Sequence, residues 1–305
     1  MKIIKPSCEI WDQEEGLEGI YKQIERCGRV CYASDPIEGK AKDFVDRMIK
    51  LGHGAMLEHG TVYLFLNNEG TLVVEDRDRC AHMTELSHNK HSVSKWMEDG
   101  LYITTNYRVI VENDWLDVLK YQCEPTEFHE KRVTVHFTTQ IAITREFNRH
   151  RVNSMAEQST RYCNFGKDKF GGVGINIPIG LLNIKGTEKW LEHADINEVA
   201  QDLDEEYKGE STSGITPKQW TGFNWWIFSN YICEKAYLNM LQLGWTPQEA
   251  RVVLPLDTNS QLSHTAFVSD WKHFFNLRCD KTAHPDARAL AIPLEQRFKK
   301  NGWIE

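Results

Sequence analysis

The residues with the clearest chemical potential lie in positions 149–161, which read RHRVNSMAEQSTR. Arginine side chains bind phosphate and carboxylate groups with two parallel hydrogen bonds, and a serine adds a short donor. A solvated basic helix end is the alternative interpretation. The surrounding Ser, Gln, Glu and Tyr residues favour binding, because a solvated face rarely needs so many specific hydrogen-bonding groups. The segment therefore predicts a site for a mononucleotide or a dinucleotide-type cofactor.

Two further arginines stand in helical, partly apolar surroundings. Arg251 precedes the sequence VVLP, and Arg278 ends the sequence FFNLR. A guanidinium among apolar residues needs a partner. The sequence leaves open whether that partner is a structural carboxylate or an anionic ligand.

Other chemical motifs are weak. His53 and His59, and likewise His88 and His91, have spacings that match no common zinc site, so we expect no metal. No Gly-x-Ser-x-Gly elbow, Walker loop or Gly-x-Gly-x-x-Gly fingerprint is present. We therefore expect no protein nucleophile, and any nucleotide cofactor is held without a glycine-rich loop.

Composition indicates a globular protein of 305 residues with 41% hydrophobic and 26% charged residues. The net charge of −8 argues against a general nucleic-acid surface, which would be basic. The N-terminal segment has no apolar core, and no run reaches the roughly 18 apolar residues of a membrane span. Eight scattered cysteines without a Cys-x-x-Cys pair are typical of a reduced protein. We expect a cytoplasmic protein without a nucleic-acid or membrane partner.

Hydrophobic periodicity indicates the elements that position these residues. The spacing predicts helices over 14–31, 40–51, 108–119, 141–151, 187–207, 219–243 and 263–278, and a last helix that begins at His284 and Pro285. It predicts strands over 61–66 and 133–140, whereas 77–97 remains helix or loop. Thr246 to Glu249 form a predicted capping box, and 211–214 a mobile loop. The segment 149–161 thus follows a strand and a short helix, where binding sites are common.

Several of these motifs together resemble the flavin-dependent thymidylate synthase family. Arg149-His150-Arg151, with Ser159 following at the signature's spacing, is similar to that family's signature. The N-terminal resemblance is GH at 52–53 and LEH at 57–59. The C-terminal resemblance is EAR at 249–251 with LP at 254–255, and FFNLR at 274–278. The motifs follow the family's order from residue 17 to residue 290.

The resemblance implies an activity. Members methylate dUMP at C5 to give dTMP, with 5,10-methylenetetrahydrofolate as carbon donor, NADPH as reductant and FAD as cofactor. It implies an α+β fold, with an antiparallel or mixed sheet packed with several helices, and a homotetramer whose sites are shared between subunits. We expect a single domain, 1–305, with insertions unusual for the family at about 67–131 and 166–218.

By position, the resemblance also implies roles for individual residues. The FAD-binding residues would be His53, Glu58, Arg149, His150, Arg151 and His273. The dUMP-binding residues would be Glu146, Glu157, Ser159, Arg161, Tyr162, Arg251 and Arg278. Arg278 would also be catalytic, because a guanidinium stays protonated beside a uracil that gains electron density. Ser159 is then a ligand contact rather than a nucleophile.

The chain departs from the family pattern near its end. Phe267, Ser269 and His273 stand where many members carry Asn or Arg on the flavin side. Two other functions remain open at this point. One is the same fold and cofactor with hydroxymethylation or another pyrimidine nucleotide as substrate. The other is a non-catalytic nucleotide- or RNA-binding module.

Overall fold

The computed structural model describes residues 1–67, 77–184, 187, 191, 195–211 and 220–305. The strands are β1 (Lys2–Ile4), β2 (Ser7–Trp11), β3 (Thr61–Asn67), β4 (Val93–Trp96), β5 (Gly100–Asn106), β6 (Arg132–Gln140), β7 (Ser154–Glu157), β8 (Gly174–Asn176) and β9 (Asn259–Phe267). The helices are α1 (Gly16–Val30), α2 (Ala41–Lys50), α3 (Gly54–Leu57), α4 (Arg77–Ser87), α5 (Tyr107–Glu112), α6 (Ile141–Phe147), α7 (Ile179–Leu182), α8 (Ile196–Ser211), α9 (Gly222–Gln242), α10 (Pro247–Ala250), α11 (Val268–Arg278) and α12 (Pro285–Lys300). Short 3-10 helices span Leu116–Tyr121 and Arg251–Val253.

The sheet that positions the signature segment is antiparallel, with strand order β2-β6-β9-β7. A second antiparallel sheet has the order β3-β5-β4, and β1 pairs with β8 in parallel. With the helices around them, these sheets confirm the predicted α+β class.

The four-stranded sheet buries apolar side chains on one face. Val133, Val135 and Phe137 of β6 alternate toward helices α11 and α12, where they contact Trp271 and Phe298 among others. The opposite face carries Thr134 and Thr265, whose hydroxyls lie 2.7 Å apart. This period of two is the pattern that predicted a strand over 133–140.

Two other hydrophobic clusters complete the core. One joins α1 and α2 to the β3-β5-β4 sheet through Ile24, Phe44 and Ile103 among others. The other joins α8 and α9 to β8 through Ile175 and Tyr237. The ranges predicted as insertions contribute to these clusters: 67–131 supplies α4, β5 and α5, and 166–218 supplies β8 and α8.

Most predicted elements are confirmed, with small shifts at their ends. These are the elements that begin near residues 14, 40, 61, 133, 219 and 285. The undecided stretch 77–97 holds both α4 and β4. The predicted acidic helix over 187–207 corresponds to α8, although part of that range lies outside the described residues, as does most of the predicted loop 211–214.

The helix predicted over 263–278 is wrong in its first part. Residues 259–267 form β9, which pairs with both β6 and β7, and the helix begins at Val268. Strand pairing satisfies the backbone of β9 on both edges, and Leu262 and Ala266 are buried in the core. Tertiary pairing therefore overrides the local helical pattern.

The helix predicted over 108–119 is divided. Helix α5 ends at Glu112, and a 3-10 helix begins at Leu116. Asp114 between them has φ of 59°, a left-handed conformation that interrupts a right-handed helix. The helix predicted over 141–151 likewise ends early, at Phe147.

Candidate active site

The signature segment leaves helix α6 in tight turns and then becomes a strand. The backbone N–H of His150 donates to the Phe147 carbonyl, and that of Asn153 donates to the His150 carbonyl, both at 3.1 Å. Residues 154–157 then pair with β9 as strand β7. The turns thus place the Arg-His-Arg group at one end of β7 and Ser159 beyond the other.

Arg278 holds the turn against helix α6. Its Nη1 atom donates to a Glu146 carboxylate oxygen at 2.7 Å, and its Nη2 atom donates to the Glu146 carbonyl. Its Nε atom donates to Nε2 of His150 at 3.1 Å. Because Arg278 is only 8% exposed, these contacts are screened little by water. The sequence left open whether Arg278 pairs with a structural carboxylate or with an anionic ligand. The structure gives it a structural carboxylate, that of Glu146.

His150 is a neutral imidazole in a defined tautomer. Burial lowers its pKa to about 4, and the charges of Arg278, His273 and Arg149 add to the effect. Its Nε2 atom accepts from Arg278, so the single ring proton of the neutral form lies on Nδ1. Arg278 thus fixes His150 as an Nδ1 hydrogen-bond donor.

An open pocket of about 610 Å³ lies beside this group, and we call it the Arg278 pocket. Its lining residues are Glu146, Arg149, His150, His273, Leu277, Arg278, Thr282, Ala283 and His284. Four of the predicted site residues, besides Arg278 itself, therefore meet here. Arg149 is exposed, and no hydrogen bond or ion pair of its side chain occurs within the described part of the chain.

A second pocket of about 610 Å³, the Ser159 pocket, shares no lining residue with the first. It is lined by Ile141, Arg145, Glu157, Gln158, Ser159, Thr160, Arg251, Val252, Leu254, Pro255 and Leu256. Ser159 is held by its backbone N–H, which donates to the Cys31 carbonyl at 3.0 Å. Arg251 donates from Nη1 to the Thr160 hydroxyl at 3.1 Å and otherwise faces open space.

Glu157 is fixed at the wall of the Ser159 pocket by three side-chain donors. One carboxylate oxygen accepts from Thr144 at 2.6 Å and from Ser260 at 3.1 Å. The other accepts from Asn148 at 2.8 Å. Since most of its acceptor capacity is in use, Glu157 orients the pocket wall more than it offers free oxygen atoms.

Other predicted site residues lie outside both pockets. Glu58 accepts from Arg108 at 2.5 Å, and His53 is exposed at the start of α3. Arg151 and Arg161 are both exposed, and the Arg161 Nε atom donates to the Gln248 side chain at 2.8 Å. The Tyr162 ring packs against the Tyr32 ring.

Sequence reasoning assigned no role to several residues that the structure adds to these walls. Arg145 and Thr160 line the Ser159 pocket, while Leu277, Thr282 and His284 line the Arg278 pocket. Position offers a signal for one of them, because Thr160 directly follows Ser159.

Buried histidines lie behind the Arg278 pocket. His264 accepts from Asn153 at 2.5 Å and packs on Trp271, and His59 contacts the Thr265 hydroxyl at 2.8 Å. Burial lowers the pKa of His59 to about 3 and that of His264 well below its ordinary value. Within the described ranges, no group of three or more His, Cys, Asp or Glu residues could hold a metal. Nor is any described helix long and apolar enough to span a membrane.

Two open pockets that each carry arginine side chains, in an α+β fold, are suited to anionic ligands. The family model described as thymidylate synthase complementing protein matches residues 75–301. The chain therefore belongs to this family, and the resemblance inferred from the motifs is confirmed.

Curated relatives carry the name flavin-dependent thymidylate synthase. The protein of Thermosipho melanesiensis is 28% identical over 175 residues, which are 57% of this chain and 66% of that protein. The protein of Thermosipho africanus is 25% identical over the same shares. That of Synechocystis is 32% identical over 76 residues, 25% of this chain and 34% of that protein. The chain thus matches just under two thirds of the length of the Thermosipho relatives.

Among solved structures, a UMP/dUMP methylase PolB from Streptomyces cacaoi bound with 5-Br dUMP aligns over 98% of this chain and 93% of its own. The TM-score is 0.40 and the sequence identity is 15%.

Proposed function

We propose that this chain methylates dUMP at C5 to give dTMP, with 5,10-methylenetetrahydrofolate as carbon donor, NADPH as reductant and FAD as cofactor. The observation that carries the proposal is the meeting of Ser159 and Arg251, from distant parts of the chain, at one open pocket in a member of this family. A guanidinium and a hydroxyl together suit the phosphate of a mononucleotide.

In this proposal the Ser159 pocket holds the dUMP phosphate. Arg251 supplies the charged fork, and Thr160 orients it. Arg161 and Tyr162 are exposed beside the segment and join the nucleotide contacts. Ser159 acts as a ligand contact: its hydroxyl oxygen accepts from the Arg161 N–H at 3.2 Å, and no general base among the described residues hydrogen-bonds to it.

The Arg278 pocket suits part of an FAD molecule. Arg149 offers a guanidinium without a described partner, and His150 is a neutral donor fixed in one tautomer. Leu277 adds an apolar surface beside His273. When bound, FAD would supply the redox chemistry of the reaction. Arg151, His53 and Glu58 are exposed or half-buried, and in this proposal they contact FAD from outside the pocket.

Arg278 stabilises negative charge in this proposal. The Glu146 carboxylate holds its guanidinium in place. A uracil that gains electron density during C5 attack is stabilised by such a fixed charge. Glu146 and Arg278 belong to the nucleotide contacts, and Glu157 positions the opposite pocket wall.

The test is product analysis by mass spectrometry after incubation with dUMP, methylenetetrahydrofolate and NADPH. We expect dTMP from the purified protein, and none from the Arg251→Ala variant. Arg47→Ala, an exposed change on α2, is the matched control. A 5-hydroxymethyl product would favour the alternative reaction with the same fold and cofactor. A colourless protein that binds RNA in a salt-dependent way would favour the binding-module alternative.

The proposal includes a homotetramer, built from one domain per chain, whose sites are shared between subunits. Apolar side chains are exposed at both pockets: Val252 is 73% exposed and Leu256 55% at the Ser159 pocket, and Leu277 is 47% exposed at the Arg278 pocket. Val152 beside the signature arginines is 74% exposed. Exposed apolar side chains around the Ser159 and Arg278 pockets suit burial against a second copy of the chain.

Mixed oligomers test this arrangement. Arg251→Ala and Arg278→Ala chains, co-expressed with different tags, should regain part of the activity that each lacks alone, because one intact shared site forms between them. Each variant co-expressed with itself is the control. No regained activity in a mixed oligomer would show that Arg251 and Arg278 of one site come from the same chain, which would contradict this division of the site.

A further inference from the structure

A third pocket lies apart from both pockets described above, and we call it the Trp11 pocket. Its volume is about 530 Å³, within the range of small-molecule sites. It is lined by Trp11, Arg26, Val30, Ala33, Ser34, Asp35, Pro36, His136, Lys169, Phe170 and Gln261. None of these residues lines the Arg278 or Ser159 pocket.

Arg26 and His136 both stack on Trp11 in the wall of the Trp11 pocket. The guanidinium carbon of Arg26 lies 3.9 Å from the Trp11 ring centroid. The His136 ring lies 4.3 Å from the same ring at an interplanar angle of 8°. The indole is therefore already in contact with two planar groups of the protein. Its role is to hold the guanidinium flat by a cation–π contact.

Arg26 has charge without a matched acceptor. It is half-buried, and within the described residues none of its five N–H groups has a hydrogen-bond acceptor or an ion-pair partner. Burial lowers its pKa, against smaller opposing effects of Cys27, Glu9 and Asp12. Its N–H groups are not among the buried polar atoms that lack a partner, so they remain accessible and free to bind an anion.

A second cation lines the same pocket. Lys169 Nζ donates to the Ala33 carbonyl at 3.3 Å and has no described carboxylate partner. Asp35 is the one acidic residue in the lining, and its side chain is exposed, as is that of Lys169. Arg26 and Lys169 supply two cationic donor groups in one lining, which suits the several acceptor oxygens of a phosphate group.

The neutral side chains of His136 and Gln261 offer hydrogen bonds that an inorganic phosphate ion alone would not use. His136 Nε2 and Gln261 Oε1 lie 3.3 Å apart, and burial lowers the pKa of His136. A neutral His136 that donates from Nε2 presents Nδ1 as an acceptor, and the Gln261 amide retains donors. These groups suit the hydroxyls of an organic ligand beside its phosphate.

We infer that the Trp11 pocket binds a small organic phosphate, with the phosphate between Arg26 and Lys169 and the polar organic part toward His136 and Gln261. The inference does not depend on the proposed activity, because it uses no residue of the Ser159 or Arg278 pocket. The pocket is nevertheless joined to the signature segment. The backbone N–H of Ser159 donates to the carbonyl of Cys31, which lies beside the pocket. The backbone N–H of Gln158 donates to the carbonyl of Gln261, which lines the pocket.

The location is tested by soaking crystals with tungstate, a heavy-atom mimic of phosphate. We expect an anomalous peak between the Arg26 and Lys169 side chains, which disappears in Arg26→Gln crystals. Lys167→Gln, an exposed change in the same segment that does not line the pocket, should keep the peak. Tungstate at Arg251 but not at Arg26 would overturn the inference, because it would show that the anion reached the protein and ignored this pocket.

The ligand class is tested by calorimetric titration with ribose 5-phosphate and with inorganic phosphate, in the Arg251→Ala background and at fixed ionic strength. We expect ribose 5-phosphate to bind more tightly, and Lys169→Gln to weaken its binding at least about tenfold, as for the loss of a charge-assisted hydrogen bond. Lys169 is exposed, so this variant should fold even if Arg26→Gln does not. Equal binding of the two probes, or binding unaffected by Lys169→Gln, would contradict an organic-phosphate site.

Discussion

At the scale of single residues, Arg278 connects three parts of the chain through one side chain. It contacts the carboxylate and carbonyl of Glu146 and the ring of His150. Each contact uses a different nitrogen of the guanidinium, and only arginine presents that planar set of donors. The residue proposed to stabilise charge is therefore also the one that holds the signature turn.

Arg278→Lys tests this geometry at constant charge. A lysine ammonium cannot reach the three acceptors together, so we expect dTMP formation to fall by about ten- to a hundredfold, corresponding to one or two lost charge-assisted hydrogen bonds. The readout is the initial rate of dTMP formation. Arg47→Lys on the exposed face of α2 is the control. An unchanged rate would show that charge alone is sufficient at this position.

Glu157→Gln tests the wall of the Ser159 pocket. The amide would present a donor to at least one of Thr144, Asn148 and Ser260, which now donate to the carboxylate. We expect unfolding free energy to fall by about 1–3 kcal/mol and dUMP binding to weaken. Urea unfolding and calorimetry measure the two effects. Glu127→Gln, an exposed change, should alter neither, and a stable Glu157→Gln protein would show that the three bonds contribute little.

At the scale of elements, the turn after α1 connects the Trp11 pocket with the signature segment. The turn includes Ala33, whose φ of 45° is left-handed, and Cys31, whose carbonyl accepts from Ser159. A side chain with a Cβ atom pays a steric cost in this conformation, since Cβ approaches the following carbonyl. The left-handed conformation of Ala33 is therefore maintained by the surrounding structure, because alanine does not favour it.

Ala33→Gly should relieve this strain. Glycine adopts positive φ readily, and the gain exceeds its larger conformational entropy in the unfolded chain. We expect unfolding free energy to rise by about 0.5–1 kcal/mol. Thermal and urea unfolding measure it. Ala81→Gly, within helix α4, is the matched control and should lower stability by about 1 kcal/mol. A destabilised Ala33→Gly protein would contradict the strained conformation.

At the scale of the whole molecule, the face of the main sheet near the signature segment buries neutral histidines. His59 and His264 are fully buried, and His150 is nearly so. Burial lowers the folded-state pKa of all three histidines below the ordinary value near 6.5. The pKa is about 3 for His59 and about 4 for His150. The unfolded chain therefore binds more protons than the folded chain between these values, so stability falls as pH decreases through 6.5.

We expect unfolding free energy to decrease from pH 7.5 to pH 5 by about 2 kcal/mol for each of His59 and His150. Urea unfolding at the two pH values measures the slope. His59→Gln should reduce the slope, because glutamine keeps a hydrogen-bonding group near Thr265 but does not titrate. Exposed His88→Gln should leave it unchanged. Equal stability at both pH values would show that these histidines become protonated without unfolding.

Much of the candidate site could be predicted from residue types and order along the chain. The signature from Arg149 to Ser159 and the two C-terminal arginines, all singled out by the sequence, contribute lining residues to the two pockets. Glu146 and His150 were predicted as separate ligand contacts, whereas the structure joins them to Arg278. Such a contact links residues far apart in the chain, and no local pattern encodes it. The Trp11 pocket had no sequence signal for the same reason, because Trp11, His136 and Gln261 come from three different strands.

The sequence by itself determined the helices with strong amphipathic spacing, the strand β6 and the chemistry of the signature, because each depends on residues within a few positions of one another. Only the tertiary structure decided that residues 259–267 form a strand, since two neighbouring strands satisfy that backbone. It also decided that Ser159 and Arg278 face different pockets. Strand β7 lies between the Arg-His-Arg turn and Ser159, so one short segment contributes to two separate walls.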